Sequence, residues 1–99
     1  MSKIAVVAGS GPGMGMFVAG ELARNGYDVA LLSSDIERLA GASEAVRSHG
    51  RRALAIPTDL ADQNEMKRVI AQIERELGPI DIWLNTAGAV IWSEQSASD

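Results

Sequence analysis

The sequence predicts an α/β fold: a doubly wound parallel sheet of four strands in the order 3-2-1-4, with three helices. Two observations predict it. Short, almost continuously apolar runs recur along the chain, and stretches with helical periodicity separate them. Strands separated by helices pair in parallel through right-handed crossovers, and both faces of such a sheet are covered. The 99 residues are expected to form a single domain, residues 1–99.

Four apolar runs are the predicted strands. They are IAVVAG from Ile4, DVALLS from Asp28, RALAIP from Arg52 and DIWLN from Asp81. The fourth strand is expected to form an open edge of the sheet with uncovered apolar residues, namely Trp83, Val90, Ile91 and Trp92. Because an exposed apolar edge favours pairing with another chain, we expect either further sequence or a second copy to cover it, and we predict a homo-oligomer.

Three helical stretches connect the strands. The first runs from about Gly13 to Asn25 and stops at Gly26. The second opens with the capping-box pattern SDIE, residues 34–37, and ends at Gly50. The third is capped by DQNE, residues 62–65, and stopped by Gly78 and a proline. The side chains expected to face inward are Phe17, Val18 and Leu22 in the first helix; Ile36, Leu39, Ala40 and Val46 in the second; and Met66, Val69, Ile70, Ile73 and Leu77 in the third.

Composition excludes several classes of function. The chain has no cysteine and one histidine, His49, which argues against a disulfide framework and against a metal site. A net charge of −4 argues against a nucleic-acid surface, and the adjacent Arg51 and Arg52 are interpreted as a solvated loop. No apolar run approaches the roughly 20 residues that cross a bilayer. We expect a cytoplasmic protein with no nucleic-acid, membrane or metal partner.

Glycines crowd the stretch AGSGPGMGMF, residues 8–17, between the first strand and the first helix. Gly9, Gly13 and Gly15 form the pattern G-x-x-x-G-x-G, and no Gly-Lys-Ser/Thr follows, which excludes a Walker A loop. The free N–H groups and positive dipole end of a helix N-terminus suit a diphosphate, and glycines let the backbone approach it. The alternative is a sharp bend that holds no ligand.

Three motifs in this order resemble those of the short-chain dehydrogenase/reductase family. AGSGPGMG, residues 8–15, is similar to the cofactor loop T-G-x-x-x-G-x-G of that family. TDL, residues 58–60, matches the acidic residue that contacts adenine in the family, and NTAG, residues 85–88, resembles N-N-A-G. The departures are Ala8 in place of threonine and Thr86 in place of the second asparagine. The resemblance covers residues 3 to 88.

The resemblance implies an NAD(P)-dependent oxidoreductase that transfers a hydride between nicotinamide and the carbonyl or alcohol carbon of a small-molecule substrate. The predicted cofactor-binding residues are Gly9, Ser10, Gly13, Met14, Gly15, Ser33, Ser34, Arg38, Asp59, Leu60, Asn85, Ala87 and Gly88. Asp59 would accept from the adenine amine, and the Leu60 N–H would donate to a ring nitrogen. Asn85 would tie neighbouring strands together, and the small residues after it would let the cofactor pass.

The end of the second strand distinguishes the two nicotinamide cofactors. A carboxylate there binds the ribose 2′-hydroxyl of NAD, whereas a cation and small polar groups accommodate the 2′-phosphate of NADP. In an alignment on the family, the NAD-type acid falls at Ser33 and the NADP-type arginine at Ser34. Two hydroxyls without an acid favour NADP over NAD. Asp35 fits either a helix start or a ribose ligand, and Arg38 fits either a phosphate ligand or a solvated helix charge.

No catalytic residue is assigned in this sequence. The family uses a tyrosine general acid/base with a lysine four residues later, whereas the single tyrosine here, Tyr27, is followed by Leu31 and is expected to serve packing. We therefore expect the amino-terminal portion of a longer reductase, inactive alone. Two alternatives remain open. One is a non-catalytic nucleotide-binding or redox-sensing module, dimeric through strand 4. The other is a methyltransferase-like fold that binds S-adenosylmethionine, against which the serines after strand 2 and the Asn85 motif count.

Overall fold

The structure, a computed structural model, describes residues 3–9, 14–85 and 90–93. Their elements are β1 Lys3–Ala8, α1 Met14–Arg24, β2 Tyr27–Ser33, α2 Ile36–Arg47, β3 Ala53–Pro57, α3 Gln63–Glu76, β4 Ile82–Asn85 and β5 Val90–Ser93. The sheet order is β3-β2-β1-β4-β5, and the first four strands are parallel. The predicted order 3-2-1-4 with three helices is confirmed. Among the described helices, none is long and apolar enough to cross a membrane.

The sheet has a fifth strand that the sequence did not predict. β5 pairs antiparallel with β4, with Trp92 opposite Trp83 and Val90 opposite Asn85, while β1 lies on the other side of β4. The expectation that strand 4 is an open edge was therefore wrong. The physical reason is that the apolar run after β4 folds back and satisfies its hydrogen bonds within the same chain. The hypothesis of a dimer that pairs through strand 4 required a free edge on that strand, and β5 occupies it.

The two faces of the sheet carry separate apolar cores, because successive side chains of a strand point to opposite faces. Val7, Val29 and Leu31 pack beneath α1 and α2. On the other face, Ile4 and Leu32 belong to the core beneath α3. The side chains of β1 from Ile4 onward and those of β2 from Asp28 onward are at most 4% exposed. These two central strands are covered on both faces, as their continuously apolar sequences predicted.

The inward face of α1 matches the predicted one in part. Val18 and Leu22 are partly buried and pack against the core as expected, but Phe17 is 71% exposed, and the residues that α1 buries fully are Ala19 and Ala23. Phe17 lies on the β4 side of the helix, beside Ile82 and Leu84. On the α2 side the helices are in close contact, since a Cβ added to Gly20 would lie 3.6 Å from the Cβ of Ala45.

The second helix also buries a different stripe. Leu39 and Val46 are buried as expected, but Ile36 is 69% exposed, Ala40 is exposed, and Ala42 and Ser43 are buried instead. The helix begins after the cap residue Asp35 rather than Ser34, and it ends at Arg47 with Ser48 as its C-cap instead of continuing to Gly50. On α3, Asp62 is the N-cap and Val69 and Ile73 are buried, both as predicted.

The edge of the sheet where β2 begins is held by a buried carboxylate. Asp28 is 2% exposed, and it forms ion pairs with Arg51 Nε at 3.1 Å and Arg52 Nη2 at 2.9 Å, while Arg52 Nε donates to its Oδ2 at 3.0 Å. The Arg52 backbone N–H also donates to Asp28, and its guanidinium reaches the Leu77 carbonyl oxygen at 3.4 Å. The interpretation of the two arginines as a solvated loop was wrong, because both compensate the charge of a buried aspartate.

Candidate functional site

A cleft of about 410 Å³ opens where β1 and β2 end, between the first turns of α1 and α2. Its lining residues are Val7, Gly9, Gly15, Met16, Leu31, Leu32, Ser33, Asp35, Glu37, Arg38, Leu39, Gly41 and Ala42. β1 is the strand at which the order of the sheet reverses, since β2 follows on one side and β4 lies on the other. In doubly wound sheets, ligands bind outside the carboxyl ends of the strands at this reversal.

Two glycines lie on the β1 side of the cleft, next to Met16. Gly9 follows β1 with φ of 153°, and its N–H donates to the Leu32 carbonyl oxygen at 3.0 Å. Gly15 lies in the first turn of α1 and lines the cleft, and a Cβ added there would meet no atom of the described residues within 4 Å. Packing among the described residues therefore does not require a glycine at residue 15. The backbone N–H groups of a first helical turn have no partner inside the helix.

The β2 side of the cleft is a hydrogen-bonded turn. Ser33 is 3% exposed, and its hydroxyl oxygen accepts from the Asp35 backbone N–H at 3.0 Å. Asp35 is the N-cap of α2, and its Oδ1 accepts from the N–H groups of Glu37 and Arg38 at 3.0 and 3.2 Å. The serine thus fixes the cap, and the cap fixes the direction in which α2 starts.

One cation lines the described part of this cleft, and it is only partly satisfied. The Nε of Arg38 lies 3.2 Å from Oδ2 of Asp35, with the two side chains 38% and 42% exposed. Nη1 of Arg38 is covered and has no hydrogen-bond partner among the described residues. Leaving such a donor unpaired costs about 1–3 kcal/mol. A rotation of the guanidinium toward an anion in the cleft would recover that cost.

These features fit an elongated anionic ligand with polar groups at one end. The first turn of α1 suits a phosphate group, because the backbone N–H groups at a helix N-terminus have no partner inside the helix and the helix dipole favours an anion there. About 15 Å³ holds one water, so a 410 Å³ cleft has room for a nucleotide portion. Arg38 and the α2 cap lie where a second polar group of the ligand would reach.

The amino-acid sequence matches the family model of short chain dehydrogenases over residues 3–99. This chain belongs to that family. It is 39% identical over 88 residues to 2,3-dihydro-2,3-dihydroxybenzoate dehydrogenase of Bacillus subtilis (strain 168). That alignment covers 89% of this chain and 34% of the relative.

Solved structures of short-chain dehydrogenases share the fold. A short-chain type dehydrogenase/reductase from Mycobacterium marinum gives a TM-score of 0.76 at 29% identity, over 83% of this chain and 33% of that one. A xylitol dehydrogenase with bound NAD⁺ gives 0.72 at 27% identity, over 83% of this chain and 32% of the other. The chain thus spans about a third of the length of these relatives.

Several of the predicted cofactor residues of this short-chain dehydrogenase chain meet in the cleft. Gly9, Gly15, Ser33 and Arg38 line it, and Ser34 is exposed next to it. Met14 begins α1. Four predicted residues lie outside the described part of the chain: Ser10, Gly13, Ala87 and Gly88.

The remaining predicted residues lie at the same edge of the sheet but not in the cleft lining. Asp59 is exposed; its Oδ1 accepts from the Ala61 N–H, and its own N–H donates to Glu65 Oε1, both at 3.0 Å. It therefore takes part in the turn that starts α3. Leu60 packs against the core beneath that helix. Asn85 ends β4 opposite Ala8 and is exposed.

The cleft also includes residues that the prediction did not include. Met16, Glu37 and Gly41 line it, and so does Asp35, which the sequence left between two roles. Helical spacing was the available signal, because residues three or four apart share a face of α2 and Gly41 follows Arg38 by three. A Cβ at Gly41 would make an ordinary 3.5 Å contact with the sulfur of Met16, so α2 and the first turn of α1 lie side by side here.

Tyr27 lies away from the cleft, at the edge of the sheet where β2 begins. Its ring packs against the core beneath α1 and α2, and Nζ of Lys3 lies 5.6 Å from the ring centroid. The expectation that this tyrosine serves packing is confirmed.

Proposed function

We propose that this chain binds a nicotinamide dinucleotide in the cleft, NADP in preference to NAD, and is the cofactor-binding portion of an oxidoreductase. The observation that carries the proposal is the open space at Gly15. A glycine in a helix is less favourable than alanine, by up to about 1 kcal/mol in a helix interior, and no atom of the described residues lies within 4 Å of the position of the missing side chain. A ligand that needs the space explains why the chain tolerates that cost.

In this proposal, the diphosphate lies against the turn after Gly9 and the first turn of α1. The N–H groups of that turn would donate to the phosphate oxygens, and the positive end of the helix dipole favours their charge. The adenosine end would lie toward α2, which begins beside the same cleft. We also propose that Asp59 and Leu60, at the end of β3, contact the adenine, and that Asn85 with the residues after it lies toward the nicotinamide.

The preference for NADP rests on the donors and acceptors at the start of α2. The carboxylate of Asp35 already accepts three donor contacts from Glu37 and Arg38, whereas the guanidinium of Arg38 still has an unpaired donor. An ionised 2′-phosphate supplies only acceptors, together with negative charge, whereas a neutral ribose hydroxyl supplies one donor besides its acceptor lone pairs. An excess of donors in the protein suits the phosphate.

The bound nicotinamide would supply or accept the hydride, and the substrate would be a small molecule with a carbonyl or alcohol carbon. The residues described here would hold and orient the cofactor. We propose that the groups that move the proton belong to parts of the enzyme outside this sequence, so the 99-residue chain alone would bind cofactor without sustained turnover. The competing module that dimerises through strand 4 has no support from the sheet, because β5 already occupies that edge.

Calorimetric titration with NADPH and with NADH tests the proposal. The dissociation constants are measured for the wild type and for two alanine variants of α1. Gly15→Ala should weaken NADPH binding at least about tenfold, because the new methyl group would occupy the space assigned to the diphosphate. Gly20→Ala is the matched control: it lies in the same helix, outside the cleft lining, and its Cβ would make an ordinary 3.6 Å contact. Both variants should remain folded. Absence of wild-type binding at millimolar cofactor, or equal binding by the two variants, would contradict the proposal.

A further inference from the structure

The adenosine end of the cleft carries charges that oppose each other. Asp35 and Glu37 line it with carboxylates, and Arg38 is the one cation among its described lining residues. A 2′-phosphate would thus meet two negative groups and one positive group. Like charges repel more strongly near a protein surface than in bulk water, so each carboxylate weakens the binding of a dianion nearby.

The two carboxylates differ in their relation to the arginine. Asp35 holds Nε of Arg38 at 3.2 Å, and in that arrangement Nη1 is covered and has no partner in the described part of the chain. Glu37 lines the same cleft, but no ion pair joins it to Arg38 among the described residues. A phosphate in the cleft must therefore compete with Asp35, and only with Asp35, for the guanidinium.

We propose that Asp35 determines how strongly this site distinguishes NADP from NAD, by holding Arg38 away from the 2′-phosphate. The inference rests on the proposed function. With the pair intact, the phosphate gains little over a hydroxyl, and the site accepts both cofactors with a small preference. When the charge of Asp35 is removed, Arg38 turns to the phosphate and the preference increases.

The backbone role of Asp35 can be kept while its charge is removed. Asparagine is as good an N-cap as aspartate, and its side-chain oxygen can accept from the Glu37 and Arg38 N–H groups that Oδ1 now binds. Asp35→Asn therefore tests the ion pair with little change to α2. Glu37→Gln is the matched control, because it removes one negative charge from the same cleft without touching the pair.

The probes are adenosine 5′-monophosphate and adenosine 2′,5′-bisphosphate, which differ only in the 2′-phosphate and occupy only the adenosine end. Their dissociation constants are measured by calorimetry on the full chain, and the ratio of the two is the selectivity. We expect Asp35→Asn to raise the selectivity for the bisphosphate about tenfold and Glu37→Gln to raise it less than about threefold. Arg38→Gln, which removes the guanidinium, should abolish the selectivity and serves as the second test if Asp35→Asn does not fold.

The outcomes separate this inference from the proposed function. If the wild type binds both probes and NADPH displaces them, but Asp35→Asn leaves the selectivity within twofold of the wild type, the inference is wrong and the proposed function stands. An equal increase in Asp35→Asn and Glu37→Gln also overturns it, since the effect would then come from net charge alone. If the wild type binds neither probe and neither dinucleotide, both proposals fail together.

Discussion

Single residues in this fold carry costs that the sequence pattern does not reveal. Ser43 lies on the buried face of α2 at 3% exposure, and its hydroxyl has no hydrogen-bond partner among the described residues. The sequence gives no sign of this, because serine fits the polar face of an amphipathic helix. Ser43 is buried because α2 presents a different face to the core from the one the sequence predicted, the same difference that exposes Ile36. Which face is presented depends on packing against α1 and the sheet.

Replacing Ser43 with alanine should stabilise the protein by about 1 kcal/mol. The change removes a hydroxyl that is buried without a hydrogen-bond partner among the described residues. It also replaces serine with alanine, which has the higher helix propensity. In a domain of this size, the midpoint of thermal unfolding should rise by about 4–8 °C.

The control for Ser43 is Ser48→Ala at the end of the same helix. The Ser48 hydroxyl is exposed and donates to the Ala45 carbonyl oxygen at 2.8 Å, so its loss should not stabilise the protein. A lower unfolding temperature for Ser43→Ala than for the wild type would show that its hydroxyl is satisfied in solution.

At the scale of elements, local signals predicted where helices and strands occur, and tertiary packing decided which faces they bury. The acidic caps before α2 and α3 and the apolar strands are local features, and the strands and the Asp62 cap were predicted correctly. The exposure of Phe17 could not be predicted from its apolar character, because it depends on which elements pack beside α1. β5 was missed for a related reason: the antiparallel return requires a partner strand that local sequence does not specify.

The cap of α3 provides a prediction at this scale. Asp62 accepts from the N–H groups of Asn64 and Glu65 at 3.0 and 3.1 Å, so Asp62→Ala should destabilise the protein by about 1 kcal/mol. Asp62→Asn keeps an acceptor at the same place and should cost only a few tenths of that. Urea unfolding followed by circular dichroism measures both, and equal destabilisation by the two variants would argue that the cap acts by charge rather than by hydrogen bonding.

For the molecule as a whole, stability should be highest in the middle of the sheet. β1 and β2 have a strand on each side and a core on each face, whereas β3 ends the sheet on one side and β5 on the other in the described part of the chain. The cleft lies at the ends of the two central strands, so its turns start from the most protected backbone. A ligand in the cleft would therefore contact elements that we expect to open less readily than the outer strands.

Amide hydrogen exchange measured by NMR tests that gradient. The amides of β1 and β2 should exchange only through global unfolding, and those of β3 and β5 should exchange at least about tenfold faster through local opening. Protection in β5 equal to that in β1 would mean that the whole sheet opens as one cooperative unit.

The aspartate that joins β2 to the two arginines lies at the opposite end of its strand from the serine that shapes the cleft. Five strand steps separate Asp28 from Ser33, a distance of about 17 Å. Changes that far apart, with no shared partner, combine additively in free energy. Substitutions at the ion-paired end and at the cleft end of β2 should therefore add in their effects on the free energy of unfolding, so a loss of stability at one end could be offset by a gain at the other.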